Sequence, residues 1–240
     1  MKQAESLVLV PGLMCDETVW WHQVAVLGAD RAVQVAEHAH SDTLGKMAER
    51  ILDEAAPRFA LAGHSMGGRV ALEVVARAPE RVSRLALLDT GYEALARGKA
   101  GDREKAGRYR LLEIAQRDGM LAMAKDWARG MVHPARLTDL PLMEAIYSMI
   151  VDAGVAKFEA QIRALLARPD RTELLKSLHL PTLVLCGRDD NWSPYSRHED
   201  MARFIQGSQL IGVTDCGHMS TMERPEAVTS AMLAWLERGV

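Results

Sequence analysis

The residues Gly63-His64-Ser65-Met66-Gly67, followed by Gly68, fit the pattern G-x-S-x-G. Small residues on both sides of a serine allow a very sharp strand-to-helix turn that holds the hydroxyl out at its tip. A helix starting there adds a positive dipole end beside any negative charge that develops. A serine hydroxyl is a weak nucleophile near neutral pH, so it needs a base, and the base needs an orienting acid. For a nucleophile on this kind of turn, the acid and then the histidine follow later in the chain. His179, His198 and His218 lie toward the end of the sequence. His218 falls in a loop just beyond a late apolar run, in Asp215-Cys216-Gly217-His218-Met219, and is the expected base. His179 falls in a linker and His198 in a polar, helix-like run, where surface or packing roles are expected. The acid should follow the penultimate strand, at Gly187-Arg188-Asp189-Asp190. Spacing alone leaves Asp189 and Asp190 equally open.

Other reactive side chains have plainer readings. His64 precedes the serine, so its ring is expected to point away from the hydroxyl and serve the structure. His38 and His40 alternate in an extended run but lack a third ligand at suitable spacing, so no metal is expected there. Cys15 and Cys216 stand near the expected site and read as small buried side chains.

These groups need elements to hold them. Apolar runs at Leu7–Val10, Ala32–Val35, Phe59–Ala62, Leu85–Leu88, Thr182–Cys186 and Gln209–Val213 are short, rich in Leu and Val, and mostly without polar alternation. Strands buried on both faces of a parallel sheet read this way. Helical spacing appears in Leu44–Ala56, in Gly67–Ala78 before Pro79, and in Pro225–Arg238 before Gly239. Strand and helix alternate, which implies a doubly wound α/β sheet of about six strands. From Tyr92 to Leu178 the alternation stops. Helical patterns at Arg103–Arg117, Gly119–Met131, Leu140–Val151 and Val155–Leu166 fill a stretch too long for a crossover. The expected organisation is a core of residues 1–91 and 179–240, with a helical cap inserted at 92–178.

Composition narrows the class. The chain has 240 residues, 48 % apolar and 25 % charged, with a formal net charge of −3. That permits one sizeable core and gives no electrostatic footprint for nucleic acid. The basic stretch Arg97–Arg110 is interrupted by Asp102 and Glu104 and reads as a solvated helix face. Three cysteines make no disulfide framework, and the first apolar run is too short for a membrane span or a leader. A cytoplasmic protein is the expectation.

With these motifs in view, the sequence resembles the α/β-hydrolase superfamily, in its branch of small capped esterases and carbon–carbon hydrolases. The resemblance rests on LVLVPGLMCDETVW at 7–20, GHSMGG at 63–68, LALLDT at 85–90, VLCGRDDNWSP at 184–194 and GHMSTMERPEAV at 217–228. It covers the two ends of the chain. It implies that the acid is Asp190, three residues after Gly187 and followed by Pro194, with Asp89 as the fallback position. It also implies an oxyanion hole of two backbone N–H groups, from Met66 and from Leu13. The oxyanion loop of such proteins usually begins His-Gly; here it begins Pro11-Gly12. They commonly carry a β-hairpin before this strand, and the chain starts directly at the strand, which leaves an uncovered sheet edge as a candidate contact for a homodimer.

Leu13, Met14, Met66, Trp192 and Met219 are expected around the serine. Met120, Met123, Met131, Met143 and Met149 fall in the insertion, mostly as packing. A methionine-lined pocket adapts to varied apolar groups. No arginine stands out as a carboxylate clamp, with Arg69, Arg129 and Arg188 the residual candidates. The expected activity is hydrolysis of a small to medium apolar carboxylic ester through an acyl-enzyme, without cofactor or metal. Carbon–carbon, lactone and thioester hydrolysis use the same constellation. A slow-turnover ligand receptor with the same three residues is the alternative from another class.

Overall fold

The computed structural model describes residues 5–238. Six strands form one sheet: β1 (Leu7–Val10), β2 (Val33–Val35), β3 (Phe59–His64), β4 (Val82–Leu88), β5 (Thr182–Gly187) and β6 (Gln209–Val213). Their order is β2-β1-β3-β4-β5-β6, and every pair is parallel. The four inner strands are buried along their whole length, whereas the edge strands β2 and β6 are mostly half-buried. This explains the unbroken apolar runs of the inner four. The chain leaves β1 for β2 on one side and then crosses to β3 on the other. Winding therefore reverses between β1 and β3, and ligands of such sheets sit beyond the carboxyl ends at that crevice.

Helices cover the sheet. α1 (Trp21–Leu27) packs on α10 (Pro225–Glu237), and α2 (Leu44–Glu54) packs on α3 (Met66–Arg77). α2 is capped by Thr43, whose hydroxyl accepts the Lys46 N–H. α8 (Tyr195–Phe204) lies against β5 and β6, and a single turn, α9 (Ser220–Glu223), precedes α10. The Gly239 stop expected for α10 lies outside the described residues.

Between β4 and β5 the chain is helical among the described residues: α4 (Lys99–Asp118), α5 (Met120–Trp127), α6 (Leu140–Leu166) and α7 (Thr172–Lys176), with short 3₁₀ turns. Two helices of the insertion differ in extent from the sequence reading: α4 begins at Lys99, not Arg103. α5 ends at Trp127 and continues as a 3₁₀ turn over Ala128–Gly130. The two helices expected over 140–166 are both present within α6, parted at Gly154, whose φ of 71° and ψ of 164° are not helical, open to glycine and strained for other residues. No described helix is long and apolar enough to cross a membrane.

Candidate active site

The turn after β3 carries the first functional group. Ser65 has φ 54° and ψ −118°, a strained backbone for a residue with a side chain, and α3 begins at the next residue. The flanking glycines are steric requirements. A Cβ on Gly63 would stand 2.3 Å from the Gly67 carbonyl oxygen, and one on Gly67 would stand 2.0 Å from that of Val10. The turn is tied to the sheet, since the Ser65 N–H donates to the Leu88 carbonyl and the Thr90 hydroxyl donates to the Ser65 carbonyl.

The loops after β5 and β6 complete the arrangement. His218 Nε2 lies 2.8 Å from Ser65 Oγ, and His218 Nδ1 lies 2.8 Å from Asp190 Oδ2. Asp190 Oδ1 also accepts the N–H groups of Trp192 and Ser193. Asp190 and His218 are both buried. Burial alone would lower the His218 pKa, but the charge and hydrogen bond of Asp190 outweigh it and raise the pKa above its usual value. For Asp190, burial works upward and is outweighed by His218 and by the two N–H donors, so its pKa is lowered. A serine, an imidazole and a carboxylate in this series can move a proton from the serine oxygen while it attacks a carbonyl.

The structure places the remaining candidates as follows. Asp189 is exposed and turned toward His133, 3.9 Å away. Asp89 is fully buried but does not reach His218. It accepts the Gly187 N–H and pairs with the Ser220 hydroxyl, and burial together with the nearby Asp190 charge raises its pKa well above normal. His64 donates to or accepts no serine hydroxyl; its Nε2 contacts the His218 carbonyl at 2.8 Å, and burial holds its pKa down to about 3. His198 is buried, and its Nε2 accepts the Thr90 N–H. His179 is exposed. His38 is buried against the Pro11 carbonyl while His40 is exposed, so the two do not converge.

Asp89, Cys186 and Asp190 gather ligand-type atoms within 4.8 Å of one another. They do not fit a metal: both carboxylates are already occupied by N–H and hydroxyl donors, and burial keeps the Cys186 thiol protonated. All three cysteines are buried and unpaired, with the Cys15 thiol pushed up to about 12 by burial first and Asp16 second.

A cavity of about 670 Å³ opens over Ser65. Leu13, Met66, Trp192 and Met219 line it, as the sequence reading expects. Among the described residues, the Leu13 and Met66 backbone N–H groups have no acceptor within the protein, and removal of an N–H of this kind from an oxyanion site typically costs about 10²–10³ in rate. Met14 does not line the cavity. It is fully buried with φ 56°, and its N–H is drawn to Gln161 Oε1 at 2.8 Å, so the side chain turns into the core.

The rest of the lining departs from an apolar, methionine-rich pocket. Of the insertion's methionines, Met131 faces the cavity; Met120, Met123, Met143 and Met149 are packed inside. Trp127, stacked on Trp192 at 4.8 Å between ring centres, and Phe158 extend the apolar wall. The same lining holds Arg69, Arg103, Arg108, Arg110, Arg168 and Arg197, with two acids, Glu104 and Asp126. The stretch Arg97–Arg110 is thus not purely a solvated face. Arg103, Glu104, Gly107, Arg108 and Leu111 form one side of α4 turned to the cavity. Their i, i+4 spacing was visible in the sequence, but nothing local told which side of that polar helix would be covered.

Sequence reasoning also missed Glu223. Its buried carboxylate accepts N–H groups from Gly217, Met219 and His133. Next to it the Met131 carbonyl accepts the His218 N–H at 2.7 Å. The histidine loop is therefore fastened to the 131–133 segment of the insertion, so closely that a Cβ on Gly217 would stand 2.7 Å from the His133 nitrogen.

Residues 34–225 match the family described as alpha/beta hydrolase fold, and the chain belongs to that family. A thermophilic esterase from Thermogutta terrifontis, solved with malate bound, superposes with a TM-score of 0.85 at 30 % identity, covering 97 % of this chain and 89 % of that one. The enol-lactonase from Burkholderia xenovorans LB400 gives a TM-score of 0.85 at 22 % identity, over 98 % and 92 % of the two chains, a likeness of fold. The pimeloyl-[acyl-carrier protein] methyl ester esterase of Vibrio atlanticus is 26 % identical over 98 % of this chain and 96 % of its own. The protein is a hydrolase of this fold.

Proposed function

We propose that the protein is a serine hydrolase cleaving a carboxylic ester of small to medium size through an acyl-enzyme. One observation carries the reading: Ser65 Oγ, His218 and Asp190 stand in series with both contacts at 2.8 Å, on a strained turn at the mouth of the cavity. Ser65 Oγ attacks the ester carbonyl while His218 Nε2 takes its proton. Asp190 holds the imidazole with Nδ1 protonated and stabilises the imidazolium that forms. The N–H groups of Leu13 and Met66 receive the oxyanion. His218 then protonates the departing alkoxide, and water, deprotonated by the same histidine, releases the acid and restores Ser65.

The helical segment 92–178 acts in this reading as a cap that closes the cavity and sets its selectivity. The buried, unpaired cysteines agree with a reducing compartment such as the cytoplasm. The esterase relative with malate in its structure supports an ester or acid ligand of modest size.

The test is a panel of alkyl esters of increasing acyl length, run on the wild type and on Ser65→Ala, with fluorophosphonate labelling of the serine. Steady-state turnover in the wild type and none in Ser65→Ala is the expected result. Full activity in Ser65→Ala overturns the mechanism. Stoichiometric labelling without turnover of any ester points instead to a receptor.

A further inference from the structure

Among the described residues, Arg69 and the exposed Arg103 are cavity cations without a carboxylate partner; Arg69 is the half-buried one beside Ser65, and the inference drawn from it rests on the reading of Ser65 as nucleophile. It stands one helical turn after Ser65 on α3, so the two Cα atoms are about 6 Å apart along the axis at about 1.5 Å per residue. Its guanidinium lies over the backbone of Gly91, where a Cβ would come within 2.6 Å of Arg69 Nη2, so the space it fills exists because residue 91 has no side chain. Nη1 donates to the Glu93 carbonyl at 2.8 Å, which fixes the head group but does not neutralise it.

Its neighbours are different. Arg168 makes a two-pronged pair with Glu104, both contacts at 2.7 Å, and Arg108 shares the same carboxylate. Arg197 lies 3.6 Å from Glu93. Among the described residues no carboxylate comes within 4.0 Å of Arg69. Burial, with Arg168 and Arg197 nearby, pushes its pKa down to about 9. A half-buried guanidinium without a counter-ion is poorly stabilised unless an anion arrives from outside, and its planar fork matches a carboxylate.

We propose that Arg69, flanked by Arg168 and Arg197, binds a carboxylate of the substrate while the scissile carbonyl sits on Ser65. Preferred substrates are therefore half-esters of short dicarboxylic acids, with the methylene linker against the apolar wall. Arg69 is a specificity-determining residue, since it would hold the far end of the acyl group and not the reacting bond.

The experiment compares kcat/KM for monomethyl glutarate and for neutral methyl pentanoate, by pH-stat titration, in the wild type, Arg69→Met and Arg69→Lys. The wild type should favour the half-ester, and the charged-to-neutral ratio should fall by about 10–100-fold in Arg69→Met, the range expected for one charge-assisted pair. Arg69→Lys should recover part of it. A ratio unchanged by both variants, or a wild type that favours the neutral ester, overturns the proposal. Ser65→Ala separates the two layers: loss of turnover on both esters upholds the nucleophile whatever the ratio does. A second readout does not depend on turnover or on the variants folding. Glutarate should slow fluorophosphonate labelling of Ser65 in the wild type, and inorganic phosphate should do so less. Protection by phosphate and not by glutarate, or by neither, overturns the carboxylate assignment.

Discussion

The two walls of the cavity are held by different means. On the core side, the functional residues extend the sheet's own ladder. The Ser65 N–H bonds to Leu88 at the end of β4, the Asp89 N–H to Leu185 in β5, and the Arg188 N–H to Val213 at the end of β6. Successive strand ends thus lock together through backbone, and the loops they launch carry Ser65 and Asp190, with His218 soon after β6. On the insertion side, side chains distant in sequence do the holding. Arg168 bridges 64 residues to Glu104, Gln161 reaches across 147 to the Met14 N–H, and Glu223 reaches across 90 to His133. Backbone geometry fixes the proposed chemistry, and side-chain pairs fix the shape and charge of what it acts on. Such a division lets selectivity change without disturbing the reacting groups.

The largest expected effect attacks the core wall. Ser65→Ala should reduce kcat by about 10⁵–10⁶, the scale seen when a nucleophile that acts in a unit with its base is removed. A loss under tenfold would mean that the insertion wall, not the strained turn, supplies the rate. Asp190→Asn comes next, at about 10⁴ in kcat, because the amide presents the imidazole in the wrong tautomer. It also has a pH signature. The base must be neutral, so kcat/KM should rise with pH through a midpoint above the usual histidine value of about 6.5. Removing the Asp190 charge takes away the main influence that raises the His218 pKa and leaves burial, which lowers it. The acid limb of Asp190→Asn should therefore shift to lower pH. An unmoved limb would assign the titration to another group. Asp189→Asn, at an exposed side chain, should change neither rate nor profile by more than about twofold.

This contrast also governs what the sequence made legible. The strands, their parallel order and the turn at Ser65 are local statements: apolar runs of fixed length, and glycines where no Cβ fits. His218 followed from its loop. Asp190 was separated from Asp189 by resemblance; in the fold Asp190 turns inward onto two N–H groups while Asp189 is exposed. The arginine wall was not legible. Arg69 was one of three residual clamp candidates, and Arg108, Arg168 and Arg197 look like ordinary surface charges until α4 and α6 are packed over the crevice; that packing depends on contacts far apart in the chain. Met14 failed for a related reason. Its distant partner, Gln161, decides which way the oxyanion loop turns its side chains.

Glu223 is where the two walls meet, and its variant has the smallest loss among those expected to impair the enzyme. Its Oε1 accepts the N–H groups of Gly217 at 3.1 Å and Met219 at 3.2 Å, while Oε2 accepts that of His133 at 2.7 Å. A carboxylate can accept on both oxygens. An amide cannot: in Glu223→Gln, whichever way the group is turned, an NH₂ faces at least one of these N–H donors. Turned with its oxygen at the Oε2 position, the amide keeps His133 and Gly217, and the Met219 N–H keeps only the Met131 carbonyl at 3.2 Å, a loss of about 1 kcal/mol, which for a chain of this size lowers Tm by about 2–4 °C. Because Gly217 and Met219 flank His218, the loop should also lose register with Ser65, lowering kcat by about tenfold with KM little changed. If Tm falls and kcat does not, the ladder after β6 holds the base unaided and the insertion governs selectivity alone. If both fall together, the cap segment at 131–133 is part of what positions the base, and the division between the two walls is less sharp than their sequence separation implies.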